Sequence, residues 1–275
     1  MLIETLSTFP HMFDSVMGTS MMKIAQDKGI LDFVAYDLRD WTHDRHRTTD
    51  DDPYGGGVGL VMKCDPIFEA YEALTGCSVG VSAVTPTGNE QPKTGPDHRY
   101  PNGMKPKTVF LTPCGRRFDD ALACELSREE RLLFVCGHYE GIDERAYELA
   151  DYQISLGDYV LTSGELAAMV IIDAVVRKIK GVLGAADGAL DESFSEGLLE
   201  YPQYTRPASY LGSEVPAVLM SGNHGAVAKW RRQQILERTA RLRPDLLDTA
   251  PLTDDDWDYL ESLAYGKSIE PGGVS

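Results

Sequence analysis

No stretch of this chain stays apolar over the ~18 residues that a bilayer-spanning helix needs, so a membrane partner is not expected. The opening Met1-Leu2-Ile3-Glu4 lacks the basic start and long apolar run of a secretory leader, which makes the cytoplasm the expected location. Cysteine is scarce: five residues, odd in number and widely spaced without a Cys-x-x-Cys pair, suggest neither a disulfide framework nor a zinc knuckle. Positive charge is scarce as well. With 26 Lys and Arg against 43 Asp and Glu, the net charge of −17 excludes a uniformly basic coat, and any nucleic-acid surface must be local.

What is present is a soluble-type mixture, 43% hydrophobic and 25% charged over 275 residues, enough for one large core or one core plus a satellite domain. Short β-branched and aromatic runs at 2–8, 33–38, 108–112, 132–136 and 153–156 read as strands separated by amphipathic stretches. That alternation predicts an α/β fold with a parallel sheet.

Phe13, Val16, Met17, Met21 and Ile24 recur at roughly helical spacing before Gly29, which suits a helix stop. Asp65 as N-cap and Pro66 at the first helical position open a second helix that closes at Gly76. Residues 75–107 are rich in Gly, Pro, Thr and Asn with little periodicity and read as a long surface excursion. Ser163 and Gly164 open a strongly apolar helix that ends near Arg177. Asp173 inside it calls for a buried partner, because an ionised carboxylate in an apolar setting is costly.

Small residues then mark an interdomain linker at 185–192. The expected organisation is an α/β domain over 1–184, that linker, and a small, mainly helical domain over 193–275.

Three glycine-bearing loops follow predicted strands, where open parallel sheets place their ligands. They are Thr112-Pro113-Cys114-Gly115-Arg116, Gly137-His138-Tyr139-Glu140-Gly141, and the stretch from Leu156 and Gly157 to Gly164. Glycine lets main-chain groups approach a ligand without a Cβ in the way. None of the loops is a phosphate-binding P-loop or a Gly-x-Gly-x-x-Gly fingerprint, so a cofactor without phosphate fits better. A fourth cluster, Asp51-Asp52-Pro53-Tyr54-Gly55-Gly56-Gly57-Val58-Gly59, follows Asp44-Arg45-His46-Arg47. No metal-ligand cluster is visible. In the last domain Lys229, Arg231, Arg232, Arg238, Arg241 and Arg243 outweigh the nearby acids and suggest a phosphate-contacting patch. His46, Tyr54 and Trp230 are candidates for stacking on unpaired bases, although for Trp230 helix packing is the stronger expectation.

Four long motifs in order resemble bacterial tRNA (guanine-N1)-methyltransferases: residues 51–59, Cys-Gly-His-Tyr-Glu-Gly-Ile-Asp-Glu-Arg at 136–145, Gly-Asp-Tyr-Val-Leu-Thr-Ser-Gly-Glu-Leu at 157–166, and Tyr-Pro-Gln-Tyr-Thr-Arg-Pro at 201–207. Val218-Leu219-Met220-Ser221-Gly222-Asn223-His224 and Lys229-Trp230-Arg231 extend the likeness into the last domain.

The resemblance implies a deep trefoil knot in the sheet domain and a homodimer with the site at the subunit interface. It implies S-adenosylmethionine as cofactor, held by Leu111, Thr112, Pro113, Gly137, Glu140, Leu156, Gly157, Asp158, Tyr159, Val160, Leu161 and Gly164. The substrate it implies is the tRNA anticodon arm, contacted by His46, Tyr54, Lys229, Arg231 and Arg232, and methylated at N1 of guanosine 37, just 3′ of the anticodon. A general base at Glu192 or Asp191, with Arg177 balancing charge on O6, completes the implied machinery. Magnesium is implied as an aid. Where the family often carries Gly-Gly after Leu-Thr, this chain has Ser163-Gly164. A knotted methyltransferase for another base and a non-catalytic RNA-binding module are the competing expectations.

Overall fold

The computed structural model describes residues 1–79, 105–183 and 192–267. Most of the 75–107 excursion and nearly all of the 185–192 stretch, Asp191 included, lie outside the described residues. Two compact units divide the chain at Met1–Gly184 and Ala185–Ser275.

In the first unit the five apolar runs all become strands: β1 (Leu2–Ser7), β2 (Asp32–Asp37), β3 (Lys107–Arg117), β4 (Arg131–Val135) and β5 (Tyr152–Ser155). They form one parallel sheet in the order β2-β1-β4-β3-β5. Successive side chains of a strand point to opposite faces, and both faces are covered. Ile3, Val109, Leu132 and Phe134 pack into one core, whereas Leu6, Phe110, Leu133 and Val135 pack into the other. Burial on both faces explains why these strands read as nearly continuous apolar runs rather than alternating ones.

The first core is closed by α1 (Ser20–Asp27), α3 (Asp120–Leu126) and α4 (Gly164–Val176); the second is closed by α2 (Cys64–Thr75). Three details depart from the sequence reading. The stretch from Phe13 to Ile24 is not one helix: a four-residue turn of helix ends at Met17, Gly18 and Thr19 interrupt, and α1 begins at Ser20, leaving Ile24 exposed. Helix α2 starts two residues early, with Lys63 in the cap position and Asp65 inside the first turn, where its charge favours the helix dipole. Asp173 lies on an exposed side of α4, so solvent takes the place of the buried partner expected for it.

The second unit is built on α5 (His224–Leu242) packed against α6 (Asp254–Lys267). Asn223 caps α5, its side-chain oxygen accepting from the Ala226 N–H at 3.1 Å.

Candidate active site

The three glycine-bearing loops converge on one cavity of about 340 Å³, the second and third from the carboxyl ends of β4 and β5, where an open parallel sheet places its ligands. The first of these loops is not at a strand end. Strand β3 pairs with β5 through Leu111 opposite Ile154, and Arg116 then pairs with the same Ile154, so residues 112–115 bulge out between the two contacts. Gly115 makes that return possible: a Cβ there would sit 2.4 Å from the Ile154 backbone nitrogen. The bulge turns Thr112, Pro113 and Cys114 toward the cavity.

The second and third loops meet backbone to backbone. Gly164 N–H donates to the Gly137 carbonyl at 2.7 Å. Beneath this contact, Ser7 Oγ donates to Glu165 Oε1 at 2.5 Å, which ties the end of β1 to the start of α4. Glu165 is fully buried, and its Oε2 has no hydrogen-bond partner among the described residues. Burial, reinforced by the neighbouring Glu165 carboxylate, pushes the Cys136 thiol well up from its ordinary range, so it stays protonated and inert.

The Asp51–Gly59 motif reaches the same rim. The Glu140 N–H donates to the Leu60 carbonyl at 3.1 Å and the Met62 N–H to the Gly141 carbonyl at 2.9 Å. Gly59 has φ +92°, and a Cβ there would come within 2.5 Å of Glu140 Cγ. Tyr139 carries a left-handed backbone at φ 58°, an uncommon state for a non-glycine residue. Its phenol is pushed up by burial and by the nearby Asp50 carboxylate.

Of the expected cofactor-binding residues, all line this cavity except Asp158, which is exposed beside it. Cys114, His138, Tyr139 and Ser155 line it too and were not singled out in the sequence reading; Ser163, noted there only as standing in place of a family glycine, lines it as well. For the loop members the only available signal was their position between chosen glycines. A larger groove of about 660 Å³ is lined by Trp41, His43, Lys63, Cys64, Phe68 and Arg145, among others. It gathers none of the three glycine-bearing loops, and the smaller cavity is therefore the better site.

Arg177 occupies the C-cap of α4, with its N–H on the Asp173 carbonyl at 3.2 Å. His46 and Tyr54 are exposed in the first unit. In the second unit Glu192 is half-buried at a small recess with Leu198, Tyr201 and Ile235, its carbonyl accepting from Ser195 Oγ at 2.7 Å.

The basic patch on α5 divides into two kinds of residue. Lys229 and Arg231 are exposed, the Arg231 guanidinium lying 4.5 Å from the centre of the Tyr201 ring. Arg232 is instead committed within the unit, donating through Nε and Nη2 to the two oxygens of Asp256 at 2.9 and 2.7 Å. That bidentate pair holds the Asp256 carboxyl well below the usual carboxylate range. Trp230 packs near Tyr204 with ring centres 6.3 Å apart.

Residues 1–249 match the model of the family described as tRNA (Guanine-1)-methyltransferase TrmD. Among curated relatives, a tRNA (guanine-N(1)-)-methyltransferase of Geotalea uraniireducens is 47% identical over 264 residues, 96% of this chain and 97% of the relative. Proteins of the same name from Limosilactobacillus fermentum and Geobacter metallireducens are 47% and 46% identical, covering 96% and 98% of this chain and 96% and 100% of their own lengths. A match of this extent, running through all three cavity loops and on into the second unit, identifies this chain as a member of the tRNA (guanine-1)-methyltransferase family.

Proposed function

We propose that this protein transfers a methyl group from S-adenosylmethionine to N1 of the guanine 3′ of the anticodon, position 37 of the tRNA. The observation that carries the reading is the convergence of the three glycine-bearing loops on one cavity at the carboxyl ends of a parallel sheet. Leu111, Leu156 and Leu161 give that cavity apolar walls, and the open backbone at Gly137 and Gly157 gives it polar edges, which suits a nucleoside without phosphate. When bound, the sulfonium cofactor supplies the electrophilic methyl group.

The chain's own residues supply alignment and charge. Guanine N1 carries a proton and is a poor nucleophile until it is removed, a task for the carboxylate of Glu192 or Asp191. Arg177 balances the negative charge that develops on O6. His46, Tyr54, Lys229 and Arg231 hold the anticodon arm; Arg232 supports them through its pair with Asp256. Among the described residues no group of three or more His, Cys, Asp or Glu side chains is placed to hold a metal, and no step is assigned to magnesium.

Two further elements belong to the same reading. A knotted path through the sheet follows from family membership and is compatible with the tight passage of Gly164 against Gly137. Exposed Leu166 and Val170, one turn apart on α4, together with exposed Tyr159, Val160 and Leu161, form an apolar surface that suits a homodimer interface beside the cavity. One subunit then holds the cofactor while the other brings Glu192. The reaction is placed in the cytoplasm, and no described helix is long and apolar enough to cross a membrane.

The test is methyl transfer from labelled S-adenosylmethionine to unmodified tRNA transcripts with guanine or adenine 3′ of the anticodon, with Glu192→Gln and Asp191→Asn proteins in parallel. Guanine-dependent incorporation lost in one variant identifies the base. No incorporation into any transcript overturns the reading.

A further inference from the structure

Ser163 occupies the N-cap position of α4 with the extended backbone, φ −156° and ψ 147°, from which a serine hydroxyl ordinarily accepts from the first turn of its helix. It makes no such bond. The residue is only 6% exposed, its Oγ has no hydrogen-bond partner among the described residues, and it lines the candidate active site. His138 lines the same cavity, and its buried Nδ1 likewise has no partner among the described residues. The His138 ring is braced between Phe9 and Tyr139, each with a ring-centre distance of 4.8 Å. In sequence the two residues adjoin the Gly164-to-Gly137 hydrogen bond, Ser163 preceding Gly164 and His138 following Gly137.

Buried polar side chains are rarely left without partners in a folded protein, and an orphaned hydroxyl destabilises the fold that carries it. Two such atoms bordering one cavity have a common explanation, a ligand that completes both. Resting on the cofactor reading above, we propose that Ser163 Oγ and His138 Nδ1 hydrogen-bond the nucleoside part of the cofactor, with Ser163 acting as an affinity-determining contact that a glycine there could not make. The serine hydroxyl both donates and accepts, and the imidazole nitrogen does one or the other according to tautomer, which matches the mixed edges of a purine nucleoside.

The experiment is calorimetric titration of the tRNA-free protein with S-adenosylhomocysteine and with 5′-methylthioadenosine, which shares the nucleoside but lacks the amino-acid part. Thermal unfolding of each cofactor-free protein runs alongside. Ser163→Ala is expected to weaken both ligands by about fivefold or more, the weight of one hydrogen bond, while raising the unfolding midpoint of the free protein by removing an unsatisfied group. His138→Phe weakens both ligands, and His138→Asn, which keeps a polar atom near Nδ1, retains more of the affinity.

Unchanged affinity in Ser163→Ala, a loss confined to S-adenosylhomocysteine, or a lowered midpoint that accounts for the loss each overturns the proposal while leaving the cofactor reading intact. Failure of the unsubstituted protein to bind either ligand removes the cofactor reading itself, and this proposal with it.

Discussion

Gly164 and Gly137 touch through their backbones: the Gly164 N–H donates to the Gly137 carbonyl at 2.7 Å, and a Cβ on Gly164 would lie 2.6 Å from the Gly137 nitrogen. The two residues belong to different cavity loops, so this contact sets how far apart the walls stand. No rotamer change relieves a clash with backbone.

Gly164→Ala is therefore expected to destabilise the protein by about 1–3 kcal/mol, the usual cost of overpacking a tight contact. Urea unfolding reads this directly. A variant as stable as the parent would show that the two loops separate easily and that the contact does not set the cavity width.

The approach of Gly59 to Glu140 has a different character, because a side chain rather than a backbone lies in the way. Gly59→Ala meets two costs, the positive φ and the Glu140 side chain, for a loss of about 1–3 kcal/mol. Adding Glu140→Ala removes the steric part and leaves the backbone strain. The double variant should be less destabilised than the sum of the singles, a coupling that a thermodynamic cycle on the cofactor-free protein measures.

Much of the first unit was legible because its physics is periodic. Strands buried on both faces need runs such as Leu132–Cys136, and a parallel sheet needs helices between them. Loop glycines after strands pointed to the cavity for the same reason. Other features depend on encounters between distant segments and leave no local mark. The bulge in β3 exists because Arg116 returns to Ile154, a partner some forty residues later in the chain. Arg232 reads as one more cation on a basic helix until Asp256 arrives from α6 to claim it. Gly18 and Thr19 break an otherwise regular apolar spacing, since Ser20 takes a left-handed backbone that periodicity does not announce.

The Arg232–Asp256 pair makes stability depend on pH in a defined sense. The folded-state carboxyl of Asp256 is held below its unfolded value of about 3.9, mainly by the Arg232 hydrogen bonds. Its contribution is thus fully present above that pH and is lost as pH falls toward the folded value. At neutral pH, Asp256→Asn should cost about 2–3 kcal/mol, less than the ~3–5 of a fully buried pair, because the Arg232 side chain stays 31% exposed. The stability gap between parent and variant should narrow as pH drops below about 4; a gap constant down to pH 2 would assign the cost to packing instead.

The same division predicts opposite behaviour from neighbouring cations on α5. Lys229 and Arg231 face solvent, so replacing either with alanine should weaken tRNA binding at low salt with little loss of stability. Each should also reduce the slope of log affinity against log salt by about one, the signature of one lost phosphate contact. Arg232→Ala removes a cation of the same charge but leaves Asp256 without its bidentate partner, so its first effect is on folding of the second unit. Salt titrations of tRNA affinity together with unfolding midpoints separate the two classes. If Arg232→Ala left the midpoint unchanged and lowered the salt slope as its neighbours do, its guanidinium would count as a phosphate contact and the ion pair as incidental.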